Sequence, residues 1–143
     1  MKPDPNRTVV VVADPDAEDR RRVATIVGEV ASTTGLSLAL YEAETGEQAR
    51  DLIKKYKPRL VLSEVLLEGL TGLQLVRVAP ELVHGPMPGW IFVTHMTTET
   101  DRYWALRNGA HGYVKKPFED DLLRGKVKKM LTDAGKPRAE KPA

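Results

Sequence analysis

Four apolar runs in this chain end on residues able to do chemistry. Val9-Val10-Val11-Val12-Ala13 leads into Asp14, Pro15 and Asp16, and Leu60-Val61-Leu62-Ser63 into Glu64. Ile91-Phe92-Val93 leads into Thr94 and His95, and Gly112-Tyr113-Val114-Lys115 into Lys116 and Pro117. Gathered in one place, carboxylates, a hydroxyl and an ammonium suit a small anionic group beside a hard cation, because Mg²⁺ takes oxygen ligands and lysine pairs with phosphate. By spacing alone the same residues also fit an ordinary polar rim.

The elements that must position them alternate. Short strand-like runs at 8–13, 37–42, 60–64, 90–94 and 112–115 are each followed by helical periodicity, at 16–32, 45–55, 72–83, 98–108 and 119–131. The first, third and fourth runs are continuously apolar, as parallel strands covered on both faces are. Right-handed crossovers then predict an open three-layer α/β sandwich, whose crevice lies outside the carboxyl ends of the strands. Asp16 reads as a helix cap, Thr45-Gly46-Glu47-Gln48 has capping-box spacing, and Lys57-Pro58 stops the second helix.

Composition narrows the function classes. The 143 residues, 41% apolar and 29% charged, suit a single domain at 8–131, with tails at 1–7 and 132–143, the second a basic tail or linker. The absence of cysteine excludes a disulfide scaffold, a thiolate metal site and a cysteine nucleophile. No P-loop, GxGxxG, GxSxG or HExxH is present, so no enzyme class has a motif of its own. Twenty-two Lys plus Arg against 20 Asp plus Glu leave a net charge of +2, so neither a nucleic-acid nor a membrane partner is expected. No apolar run is long enough to span a membrane, and a cytoplasmic location is expected.

Three segments together carry a resemblance: Ala13-Asp14-Pro15-Asp16; Lys57 to Gly72 around Ser63-Glu64; and Asn108-Gly109-Ala110-His111-Gly112-Tyr113-Val114-Lys115-Lys116-Pro117-Phe118. With Phe92-Val93-Thr94 between them, the chain resembles a two-component response-regulator receiver domain over about residues 8–131. The resemblance implies a flavodoxin-like (βα)5 fold, a parallel five-stranded sheet of order 2-1-3-4-5, and a signalling role without enzymatic activity. In that family an acid pair after strand one binds Mg²⁺, an Asp after strand three accepts phosphate, and Thr and Lys contact the phosphoryl group. Asp14, Thr94, Lys116 and the switch aromatic Tyr113 match.

Two positions depart from the pattern. Pro15 stands where the second acid belongs and offers neither carboxylate nor amide N–H. Glu64 stands at the phosphoacceptor position, its carboxylate displaced outward by one methylene. The sequence therefore reads as an atypical receiver, or pseudo-receiver, in which Glu64 is either a permanent phospho-aspartate mimic or an inert replacement tying down Lys116. No cofactor is expected beyond weakly held Mg²⁺, with candidate ligands among Asp14, Asp16, Glu64 and Leu66. Ser63, adjacent to Glu64, should face away from the pocket because side chains alternate along a strand. His95 should narrow the pocket's mouth.

Output is expected by protein–protein contact through the fourth helix, fifth strand and fifth helix, with a homodimer among the options. With Tyr103, Leu106 and Ala110 as the inward stripe of the fourth helix, Trp104 is an exposed anchor. Trp90 belongs to the core. Arg124, Lys126, Lys128 and Lys129 of the last helix form a basic face suited to an acidic partner. Glu64 paired with Lys116 should favour Tyr113 turned inward. Two alternatives stand beside this reading: a receiver phosphorylated at an unusual group with Asp16 completing the metal site, and a flavodoxin-like small-ligand or enzyme domain.

Overall fold

A computed structural model describes residues 7–132. Strands β1 (Arg7–Ala13), β2 (Ser37–Ala43), β3 (Leu60–Ser63), β4 (Gly89–Thr94) and β5 (Gly112–Lys115) alternate with helices α1 (Ala17–Thr34), α2 (Gly46–Tyr56), α3 (Gly72–Leu82), α4 (Glu99–Arg107) and α5 (Asp120–Thr132). The strands form one parallel sheet of order β2-β1-β3-β4-β5, the order the family resemblance implies. Arg7 already belongs to β1 and Thr132 to α5, so the described strands and helices reach one residue past each expected boundary at 8 and 131. The rest of each expected tail lies outside the described residues.

Alternation along the strands builds two cores. Val11, Ala13, Val61, Trp90, Phe92 and Tyr113 face α2, α3 and α4, meeting Ala49, Ile53, Leu75, Val76 and Ala105. Val10, Val12, Leu60, Leu62, Ile91, Val93 and Val114 face α1 and α5, meeting Val23, Ile26, Val30, Leu123, Val127 and Leu131. Because β1, β3 and β4 bury both faces, their sequences are apolar without alternation.

The helix ends are fixed by side-chain caps. Asp16, Thr45, Thr71 and Thr98 each accept a backbone N–H three residues on. The reciprocal half of the box expected at Thr45 is altered, since Gln48 accepts instead from the amide of Glu44 at 2.8 Å. Full boxes occur at α3 and α4. Lys57 closes α2 in the left-handed region, φ 49°, ahead of Pro58.

The expected stripe of the fourth helix is not the observed one. Only Ala105 of α4 is buried, while Tyr103 and Leu106 are 55% and 39% exposed. A helix that seats on the sheet through one small side chain leaves its larger apolar groups outside. Trp104 is half exposed, as expected, and Tyr103 packs edge-on against it with centroids 5.3 Å apart. Ala110, past the helix end, is buried.

Candidate functional site

The carboxyl ends of β1, β3, β4 and β5 bring Asp14, Glu64, Thr94 and Lys116 together, all buried. Two ladder bonds extend the sheet just far enough to place the acids: the Asp14 amide donates to Ala43 O at 3.0 Å and the Glu64 amide to Ala13 O at 2.9 Å. The Lys116 amide donates to Thr94 O at 2.8 Å, aiming its side chain back across the sheet. Gly72 lets the β3–α3 loop fold tightly: its amide donates to Val65 O at 2.8 Å, and a Cβ there would strike the Phe92 ring and the Glu64 carbonyl.

Lys116 is the hub. Its ammonium donates to Asp14 Oδ2 at 2.7 Å and to Asp19 Oδ2 at 2.9 Å, and pairs with Glu64 Oε2 at 3.0 Å. The lysine side chain is 2% exposed. Burial pulls its pKa down, but hydrogen bonds to Asp14, Asp19 and Glu64 outweigh that and hold it above the ordinary lysine value. Burial is the largest influence on Asp14 too and raises its carboxyl above the usual range, against the opposing hydrogen bond from Lys116.

Glu64 spends its other oxygen on neutral donors. Oε1 accepts from the Val65 amide at 2.8 Å, from the Leu66 amide at 3.4 Å and from the Thr94 hydroxyl. Thr94 Oγ1 in turn accepts from the Met96 amide at 3.1 Å, and Met96 O accepts from the Tyr113 hydroxyl. Tyr113 is turned inward and only 9% exposed, and burial raises its phenol to about 12. A hydrogen-bonded path therefore runs from Lys116 through Glu64, Thr94 and Met96 to Tyr113.

The other singled-out residues fall around this hub. Pro15 is exposed, and Asp16 caps α1, its Oδ1 accepting from the Asp19 amide at 2.9 Å and its own amide donating to Asp14 Oδ1 at 2.9 Å. That cap lowers the Asp16 pKa. Ser63 faces the other side of the sheet, where its hydroxyl accepts from the Trp90 indole at 3.1 Å. The Leu66 side chain is exposed. His95 lies at the rim, its side chain 68% exposed and Nε2 4.0 Å from Asp19, so it borders the pocket rather than filling its mouth.

Asp19 was not among the expected site residues. An acid in the first turn of a helix ordinarily complements the helix dipole, and its pairing with a lysine 97 positions later leaves no local trace. On the output side, Lys126 is half buried beside Gly112 on β5. Arg124 departs from the expected free basic face: it is tied to Glu29 of α1 at 2.7 Å and to Asp121.

Residues 16–128 match the sequence profile of the response regulator receiver domain, and the chain belongs to that family. PilH of Pseudomonas aeruginosa is 31% identical over 90 residues, 63% of this chain and 74% of that protein. The transcriptional regulatory protein YvcP of Bacillus subtilis is 29% identical over 117 residues, 80% of this chain; the match spans 46% of YvcP. The receiver domain of NarL from Mycobacterium tuberculosis superposes with a TM-score of 0.72 at 25% identity, covering 94% of this chain and 100% of that one. A CheY-like receiver from Methanospirillum hungatei shares the fold, with a TM-score of 0.71 at 22% identity over 91% of this chain and 98% of its own.

Receiver domains are signal-transduction modules rather than enzymes; they work through contacts with other proteins and typically bind Mg²⁺ weakly. The residues present do not fit that ion as they are arranged. An ammonium sits among the carboxylates, Pro15 supplies no oxygen at its side chain, and Asp16 is committed to its cap. Among the described residues no cluster of three or more His, Cys, Asp or Glu is placed to hold a metal. No helix among them is long and apolar enough to cross a membrane.

Proposed function

We propose that this chain is a pseudo-receiver: a receiver domain that signals by binding a protein partner and is not switched by aspartyl phosphorylation. The observation that carries the reading is the Glu64 carboxylate, which bonds Lys116 through one oxygen and the Thr94 hydroxyl and Val65 amide through the other. A lysine ammonium, a threonine hydroxyl and a backbone amide are the donors an acyl phosphate at this place would need. Glu64 occupies them with one charge and two oxygens, a weak constant substitute for the roughly two charges and three acceptors of a phosphoryl group.

The inward Tyr113 fits the same reading, because Glu64 holds Thr94 and, through Met96, gives the phenol an acceptor. The exposed side chains of Tyr103, Trp104 and Leu106 on α4, beside β5 and α5, are the surface through which a partner would read it. Incubation with Mg²⁺ and acetyl phosphate, followed by intact mass measurement, should give no phosphoryl adduct. A hydroxylamine-labile adduct on a substantial share of the protein overturns the proposal.

A further inference from the structure

Net charge hides a segregation. The first turns of α1, α2, α4 and α5, at the site end of the sheet, carry Glu18, Asp19, Glu47, Glu99, Asp101, Asp120 and Asp121. At the opposite end, Glu81 is the only carboxylate in the last helical turns and the loops that follow them, among the described residues. That end carries Arg7 where β1 begins, Lys54, Lys55 and Lys57 where α2 ends, and Lys128 and Lys129 near the end of α5.

Toward the site end Arg20, Arg22, Lys116 and Arg124 are each tied to carboxylates, while Arg21 and Lys115 there are exposed without an ion pair among the described residues. Arg7, Lys54, Lys55, Lys57, Lys128 and Lys129 are exposed or, for Arg7, bonded only to a carbonyl, and none makes an ion pair among the described residues. The helix dipole accounts for basic residues in a last turn, namely Lys54, Lys55 and Lys129, but not for Arg7, Lys57 or Lys128. The basic residues come from all three layers: α2 packs on one face of the sheet, Arg7 belongs to the sheet itself, and α5 packs on the other face, where Met130 reaches Gly89 at the start of β4.

We infer that this edge binds the phosphate backbone of nucleic acid without reading sequence. The large apolar side chains that are exposed stand on other segments, Leu66 after β3, Tyr103, Trp104 and Leu106 on α4 and Leu122 at the start of α5, so the strip lacks the apolar centre of a stable protein interface and the wedge of a membrane-inserting surface. The aromatic nearest to it is already engaged: Tyr56 stacks on Tyr41 with centroids 4.0 Å apart, and Lys55 lies over its ring. No base can stack there. What the edge offers is flexible, unneutralised lysine, which attracts polyphosphate by counterion release. The inference is independent of the pseudo-receiver reading, because none of these residues touches the Lys116 pocket.

The test is fluorescence anisotropy of the full chain with a labelled random-sequence DNA duplex, repeated over a range of salt. With about four to five phosphates neutralised, doubling the salt should weaken binding about 16-fold. Lys54→Glu with Lys57→Glu and Lys128→Glu should weaken it at least about 10-fold at low salt, whereas Arg21→Glu at the site end should change it less than about 2-fold. An unchanged melting temperature shows that the triple variant folds. Absent binding at low salt, binding indifferent to the triple reversal, or tighter binding to phosphatidylserine vesicles than to the duplex each overturns the inference.

Discussion

Replacing Lys116 with Met removes the ammonium while keeping an unbranched stem out to the ε position, and it strands the acids that the lysine holds. The Asp14 and Glu64 side chains are 4% and 5% exposed, so both remain buried without a cation; Asp19, 31% exposed, can turn to water. Breaking a buried pair costs about 3–5 kcal/mol, and the half-exposed pair adds no more than about 1 kcal/mol. Lys116→Met should therefore lose about 3–5 kcal/mol at neutral pH, a large part of the roughly 5–15 kcal/mol that keeps a domain folded. The pH dependence separates this origin from a packing defect. Burial already holds the Asp14 carboxyl above its ordinary 3.8, and without Lys116 only the hydrogen bond from the Asp16 amide opposes the rise. A carboxyl whose folded value exceeds its unfolded value binds more protons in the folded state, so stability grows as pH falls through the folded value. Lys116→Met should recover relative to the parent between neutral pH and 3.8. Urea unfolding at several pH values, followed by the emission of buried Trp90, reads this directly. A loss below about 0.5 kcal/mol, or one that does not change with pH, refutes the clamp.

Mg²⁺ titration calorimetry on the parent should show no binding in the range where receivers bind it, and Pro15→Asp combined with Glu64→Asp should introduce binding by adding a carboxylate at position 15 and drawing the one at position 64 back by a methylene. Trp104→Ala should alter stability by less than about 0.5 kcal/mol, because the indole is half exposed, while weakening capture of a partner by about 10-fold or more. Gly46→Ala should cost about 1–3 kcal/mol in urea unfolding, since a Cβ there runs into the carbonyl of Leu70 that the turn places against α2.

The gathering of Asp14, Glu64, Thr94 and Lys116 was legible because it follows from where continuous apolar runs stop, whereas the sheet order came from the family resemblance alone. A run such as Val9-Val10-Val11-Val12 announces a strand buried on both faces, and the residue after it must stand at the crevice. Helix α4 was less legible. Its apolar residues Tyr103, Trp104, Leu106 and the small Ala105 are contiguous, so periodicity selects no face, and the choice of Tyr103 and Leu106 as the buried stripe failed. Asp19 was hidden for a different reason: its partner lies in a distant strand-end loop, and its type and place already suited a helix start. The free basic face ascribed to α5 was half right, because Glu29 lies across the interface on α1, where sequence spacing gives no hint of Arg124.

The bonds that join α1 to α5 bear on how the chain matures during synthesis. Arg22 reaches Asp120 and the carbonyl of Phe118, and Arg124 reaches Glu29, linking segments nearly a hundred residues apart. The face of the sheet formed with α2 and α3 has most of its apolar partners once β4 has emerged, whereas the opposite face lacks Leu123, Val127 and Leu131 until the last helix leaves the ribosome. A nascent chain halted before α5 thus has one covered face and one open one, with Val23, Ile26 and Val30 lacking their final cover. Translation speed through α5 sets how long that apolar surface is offered to chaperones.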